Sequence, residues 1–430
     1  MADLSRFAVS RRIWLAVLVV VLVGVSTGIF LSRDPDQLPQ AAAAEPAVST
    51  APVPLSANQL TAAVLREQSA ALLKGDEKGW LAAVDPAQPK LRARYASMFR
   101  SLRGLGISHF EHHSYAPDGQ KNGTVWVRTH ITYCFSRPTC PRYNHDEWSG
   151  PPRIAQALIF TKVGGRYVIT ALDEKKPDDI QPTPWERGDL FFAQGKRVTV
   201  AATRSQRKNL ERVLALAEKS AAVTDRYAGY LDNPQPRYRI YLADDKAWKS
   251  WYGGERDKWV VGLAVPLNDT GTDTVLRMSK LGDTRLLATT IQHEMGHVVT
   301  LSGTTTRDAA EDRWLTEGIA EYIGWAPKPA TASWRRFSVR AAFGSSKRPA
   351  TIVGQPLGAK ASDRAVDAFY GLGHFATDCM ADRYGERKLF TFVRLALRQG
   401  NTYDQAARAA FGRSFAAVDK ACVAWITKQS

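Results

Sequence analysis

The sequence predicts an α+β protein in three parts. These are an apolar N-terminal transmembrane helix, a small helix-plus-curved-sheet domain, and a larger domain with a mixed sheet and a helical C-terminal half. Three observations predict it. An uncharged apolar run, Ile13–Leu31, stands near the start. Helical patterns over 57–74 and 88–103 are followed by alternating strand patterns. Beyond residue 196, strands and helices interleave until about 278, and the pattern is helical from 283 onward.

The 430 residues are 44% hydrophobic and 23% charged, which suits more than one globular domain with ample core. The formal net charge of +16 favours anionic partners, among them an anionic envelope surface. No compact run of Lys and Arg is interleaved with aromatics, so no nucleic acid is expected as a partner. The four cysteines permit two bridges, Cys134–Cys140 around a short Pro-containing loop and Cys379–Cys422 between C-terminal segments.

Residues 1–31 read as a cytoplasmic stub and a signal-anchor. As a helix, Ile13–Leu31 would be about 28 Å long, close to the hydrocarbon thickness of a bilayer. Arg6, Arg11 and Arg12 precede it, and positive charge before a first span keeps that side inside. The expectation is a single-pass protein of the cell membrane with its C-terminal domains extracytoplasmic. Cleavage near Ala41–Ala44 would instead release it as a secreted protein. Residues 32–55, rich in Ala and Pro, read as a linker.

The first folded unit is expected over 56–180. Thr124–Phe135 alternates as a half-buried strand, and 154–163 with 166–172 read as a hairpin around Gly164-Gly165. Helices followed by a curved antiparallel sheet resemble the nuclear-transport-factor-2-like (NTF2-like) fold, which implies a cone-shaped unit acting as a ligand holder or a spacer. His112, His113 and His130 are expected to be surface histidines, because neighbouring strand positions point to opposite faces.

The second unit is expected over 196–430. Val198–Ala202, Tyr238–Ala243, Val260–Val265 and Thr274–Met278 read as strands, and Ser205 to about Tyr227 as a helix. A helix capped by Asp283 or Thr284 should run to Gly303. It contains Ile291-Gln-His-Glu-Met-Gly-His297, an H-E-x-x-H pattern. Four residues advance a helix by about 400°, so His293 and His297 share a face and both imidazoles can reach one Zn²⁺. Glu294 can act on a water at that metal without being a ligand. A second helical segment, Trp314-Leu-Thr-Glu-Gly-Ile-Ala-Glu-Tyr322, places Glu317 and Glu321 one turn apart. Phe369-Tyr-Gly-Leu-Gly-His374 opens a further helix, and Asn401–Phe411 and Phe415–Ile426 read as short helices.

Together the two motifs resemble the gluzincin metallopeptidases, the zincin group whose pattern H-E-x-x-H is followed by W-L-x-E-G-x-A. That pattern is met here by Trp314, Leu315, Glu317, Gly318 and Ala320. The resemblance spans 196–430 and is specific in 291–322. It implies a zincin domain, a third zinc ligand at Glu317 and an orienting carboxylate at Glu321 behind the first His. It also implies a Tyr aimed at the developing oxyanion. Tyr370 is the positional match, with His374 one turn later as the alternative. The implied activity is zinc-dependent hydrolysis of peptide bonds, with Glu294 as general base and a peptide or protein as substrate.

The glutamate-containing recognition motif of the M1 aminopeptidases is absent. Gly262-Leu-Ala-Val-Pro266 stands in its place, which points to an endopeptidase. The rival reading is a non-catalytic, zinc-containing envelope binding or adaptor protein.

Overall fold

The computed structural model describes residues 55–429 apart from 115–118, 138, 144–149, 174–180, 256, 305–308 and 359. The expected span Ile13–Leu31 lies outside the described residues, as does the linker up to residue 54. Among the described residues no helix is long and apolar enough to cross a membrane.

The first unit opens with α1 (Ala57–Lys74), α2 (Glu77–Leu81) and α3 (Pro89–Gly104). Ser56 starts α1 through a reciprocal capping box with Gln59, and Gly75 ends it in the left-handed conformation. An antiparallel sheet follows, made of β1 (Ile107–Ser114), β2 (Gly119–Lys121), β3 (Thr124–Phe135), β4 (Arg153–Val163) and β5 (Arg166–Leu172). Its order is β1-β3-β4-β5, with β2 pairing β3. Trp80, Phe110, Tyr133 and Phe160 fill the space between helices and sheet.

The histidines need a correction. Only part of the expected set faces outward. His112 points towards α1, where its Nδ1 lies 2.9 Å from Ser69 Oγ. Burial, reinforced by the charge of His113, pushes its pKa down to about 3. His113 lies on the opposite face, 2.9 Å from Thr132 Oγ1 and stacked on Tyr143.

The second unit holds a mixed sheet of β6 (Phe191–Gln194), β7 (Val198–Ala202), β8 (Tyr238–Ala243), β9 (Gly262–Pro266) and β10 (Thr272–Arg277). Its order is β6-β7-β8-β10-β9, parallel at β7–β8 and β8–β10 and antiparallel at both ends. β6 begins ahead of residue 196, the expected start of the unit. The helix expected from Ser205 is α4 (Leu210–Tyr230), entered through a 3₁₀ turn over Arg204–Asn209. That turn contributes no buried residue; Arg204 and Arg207 lie over the Phe191 ring of β6, and burial begins at Leu210. The short α5 (Asp245–Trp248) follows β8.

The remaining helices are α6 (Thr284–Leu301), α7 (Ala309–Trp325), α8 (Arg336–Phe343), α9 (Asp363–Tyr384), α10 (Glu386–Val393), α11 (Tyr403–Phe411) and α12 (Phe415–Gln429). Asp283 caps α6 by accepting from Leu286 N. Ser362 caps α9, so that helix opens six residues before Phe369 and carries Val366 into the core as well. Disulfides join Cys134 to Cys140 and Cys379 of α9 to Cys422 of α12.

The two units share one continuous core. Trp185, fully buried between them, packs edge-on against Phe110 and Tyr133. The buried Arg239 of β8 donates to Asp273 at 2.7 Å, and its guanidinium carbon sits 5.1 Å from the Phe135 ring centre.

Candidate metal centre

Helix α6 brings His293 and His297 onto one buried face because Leu287, Ile291, Met295 and Val298 fix its orientation against the core. Helix α7 crosses it with Trp314, Leu315, Ile319 and Ile323 buried, which aims Glu317 and Glu321 at the two imidazoles. Glu317 Oε2 lies 3.4 Å from His293 Nε2 and 3.3 Å from His297 Nε2. Among the described residues this is the one His/Cys/Asp/Glu group whose ligand atoms all fall within 4.8 Å of one another.

These donors fit a zinc ion. Two atoms each 2.0–2.1 Å from one ion at the tetrahedral angle lie roughly 3.3 Å apart, which matches both separations. Glu317 Oε2 is buried and accepts no hydrogen bond from the described residues. A buried carboxylate oxygen left without a donor is strongly unfavourable unless a cation faces it. Two imidazoles and one carboxylate, with no thiolate, are also the donor set of a catalytic rather than a structural zinc site.

Glu321 sits behind this group. Its Oε1 is 3.3 Å from His293 Nδ1, so it holds the ring by the nitrogen that faces away from Glu317. Burial alone would raise the Glu321 carboxyl, but the Arg335 guanidinium and His293 hold it down at about 2. Burial disfavours the His293 imidazolium, yet contacts from Glu317 and Glu321 raise its pKa to about 10. Glu317 is held well below the usual carboxylate range: burial opposes this, and the two histidines outweigh it. Two buried carboxylates, Glu317 and Glu321, thus face the imidazole nitrogens from two sides.

Glu294 faces a cleft of about 660 Å³ that His293, Glu321 and Tyr370 also line. Burial raises its carboxyl above the ordinary value. Residues Val260, Val261 and Gly262 form one wall, at the free edge of the mixed sheet. A methyl group at Gly262 would fall 2.3 Å from Glu294 Oε1, so only glycine lets the edge strand and that carboxylate approach so closely.

The two oxyanion candidates separate in space. Tyr370 lines the cleft with its ring centre 6.1 Å from the His293 ring, and burial raises its pKa, keeping the hydroxyl a donor. His374 is 1% exposed, and neither ring nitrogen has a hydrogen-bond partner among the described residues. Burial pushes its pKa down to about 4.

The motifs did not single out Arg335. It donates to Glu321 Oε2 and to Asp367, and its guanidinium lies over the Tyr370 ring. Gly318 was named by its motif and Gly373 was not, and neither was given the packing role it has where α7 and α9 cross backbone to backbone. Glycines inside helical patterns were the available signal.

No protein-family model matches the chain, and no curated protein sequence matches it. Among solved structures, the chain is similar to a two-domain M1 zinc metallopeptidase bound to L-arginine. The identity is 12%, over 77% of this chain and 97% of that one, with a TM-score of 0.36. It is also similar to an NTF-2-like protein of unknown function from Shewanella oneidensis MR-1. There the identity is 16%, over 25% of this chain and 89% of that one, with a TM-score of 0.19.

Proposed function

We propose that this chain is a zinc-dependent peptidase of the gluzincin type, with His293, His297 and Glu317 as ligands and Glu294 as general base. One observation carries the reading: three donor atoms converge around a buried carboxylate oxygen that lacks a hydrogen bond, beside a cleft that Glu294 enters. Zinc bound there would polarise a scissile carbonyl and acidify water.

The chain's own groups supply the rest. Glu294 takes a proton from the attacking water and passes it to the leaving amine. Tyr370 donates from its hydroxyl to the developing oxyanion. Glu321 fixes the orientation of His293. The free edge of β9 pairs with the substrate backbone, which gives affinity with little demand on side-chain identity.

The cleft-lining stretch from Lys258 to Gly262 carries no carboxylate to hold a free α-amine on the β9 side; the carboxylates of this cleft, Asp283, Glu294, Glu321, Asp363 and Asp367, come from the helices and their caps. This supports an endopeptidase. We also propose that Ile13–Leu31 holds the enzyme in the cell membrane with residues beyond 31 outside. There the substrates would be extracytoplasmic peptides or proteins, and the basic surface would meet an anionic envelope. The two disulfides support an oxidising compartment.

The test is Glu294→Gln, with zinc stoichiometry and cleavage of a peptide library measured on one preparation. One equivalent of zinc should remain while cleavage falls by several orders of magnitude. Full zinc with unchanged cleavage refutes the assignment of Glu294. Wild-type chain that binds zinc and cleaves nothing favours the envelope-binding protein.

A further inference from the structure

Arg335 immediately precedes α8 and is wedged between α7 and α9, its side chain 16% exposed. A lone guanidinium in such a place needs acceptors on several sides, and it has them. Nε lies 3.2 Å from Glu321 Oε2 on α7. One terminal nitrogen donates to Asp367 Oδ1 on α9 at 2.5 Å. The flat face covers Tyr370, with the central carbon 4.7 Å from the ring centre. Asp367 and Tyr370 are three residues apart on the same helix, so the ion pair and the stack hold one face of α9.

The other oxygen of Glu321 meets His293 Nδ1 at 3.3 Å. The same guanidinium therefore touches the carboxylate that orients a metal-ligating histidine and the ring that carries the oxyanion donor. Without Arg335, Glu321 would keep His293 as its one polar partner among the contacts described, and would be free to rotate about its own χ angles. Tyr370 would lose the flat surface over its ring and keep the edge contact with Trp259. Lysine cannot substitute fully: its ammonium is a point charge without a planar face.

We propose that Arg335 is a positioning residue that sets two parts of the site at once, the orientation of His293 through Glu321 and the orientation of the Tyr370 hydroxyl through ring stacking. The proposal rests on the peptidase reading above and adds to it a coupling between metal affinity and turnover. An ion pair that only ties α7 to α9 would change stability and leave both quantities alone.

The experiment compares the full wild-type chain with Arg335→Met and Arg335→Lys. The zinc dissociation constant is measured by competition with a chromophoric chelator. The constants kcat and KM are measured at saturating zinc on one quenched-fluorescent peptide that the wild type cleaves. Arg335→Met should raise the zinc dissociation constant about 10–100-fold. Its kcat should fall about 10²-fold with KM within about twofold. Arg335→Lys keeps a positive charge beside Glu321, so its zinc affinity should stay within about threefold of wild type. Its kcat should still fall about tenfold or more, because the stack is lost.

If Arg335→Met does not fold, the lysine variant carries the test through that split between kcat and zinc affinity. Variants that match wild type in zinc affinity and kcat, differing in stability alone, overturn this inference and leave the peptidase reading standing. Full recovery of kcat by lysine overturns the stacking role. Wild-type chain that binds no zinc overturns both the inference and the reading beneath it.

Discussion

Replacing Gly373 by alanine sets two effects of opposite sign against each other. In an exposed helix, glycine to alanine stabilises by about 1 kcal/mol, because alanine loses less backbone freedom on folding. At Gly373 the added methyl would stand 2.7 Å from the carbonyl oxygen of Trp314 and 2.9 Å from Gly318 Cα. Both atoms belong to the backbone of α7, so no side chain can swing away. Ordinary contact begins near 3.4 Å, and α7 and α9 would have to part by roughly 0.7 Å. Overpacking of this kind costs about 1–3 kcal/mol, and rigid backbone on both sides places it at the upper end. The net expectation is a loss of about 2 kcal/mol in urea unfolding.

Gly229, near the end of α4, provides the control, since a methyl there meets nothing within 4 Å. Gly229→Ala should be neutral or stabilising by up to about 1 kcal/mol. The helix separation also moves Tyr370, one turn before Gly373, relative to Glu317. A displacement near 1 Å costs on the order of 10²-fold in rate, so kcat should fall with stability. A Gly373→Ala chain as stable as Gly229→Ala would refute the account of this crossing.

Other expectations follow from single features. Tyr370→Phe should lower kcat about 10²–10³-fold with KM little changed, and the same loss in His374→Ala alone would transfer the oxyanion role to His374. His112 carries a pH signature. Burial holds its pKa down at about 3, below the ordinary histidine value of about 6.5, so below 6.5 the unfolded chain binds a proton that the folded chain refuses. Stability should therefore fall as pH drops from 6.5 towards 3, by at most about 1.4 kcal/mol per pH unit from this group, and His112→Gln should flatten that slope. An unchanged slope between pH 6 and 4 would show that His112 does not resist protonation. A reporter fused after residue 430 should be active only in an exported compartment, and cytoplasmic activity would sink the membrane-anchor proposal.

The metal-centre helix could be read because two signals coincide there. Asp283 announces the start of α6, and Leu287, Ile291 and Val298 repeat at helical spacing around His293 and His297. Segment 314–322 was legible for the same reason, since Trp314, Leu315 and Ile319 mark a buried stripe beside Glu317. Strand β1 was not legible. Its outward positions are His109, Glu111 and His113, and one inward position is His112, so the apolar alternation that marks β3 is missing. Strand β6 has four residues, too few to show a period. The role of Arg335 could not be read at all. Its partners Glu321, Asp367 and Tyr370 lie 14, 32 and 35 residues away in the chain, and no local spacing encodes such a meeting.

The small residues within the two motifs have a reason in the reach of side chains. A histidine and a glutamate extend only a few ångströms from their backbones, so the side chains of different helices can converge on one point only if those helices pack at short interaxial distance. The structure shows where that closeness is obtained. Gly296, inside the H-E-x-x-H segment, faces Ala320 of α7, and a methyl there would lie 3.3 Å from Ala320 Cα. Gly318, beside Glu317, faces Gly373 of α9 with its own added methyl at 2.6 Å from the Gly373 carbonyl oxygen. The first crossing brings the two histidines to Glu317, and the second brings the Tyr370 helix to the same carboxylate. The glycines and alanine between the polar positions thus set the helix separations that let those polar positions meet. In such a site a change of one methyl group, with no change of charge, acts on the chemistry through the 3.3 and 3.4 Å separations that it disturbs.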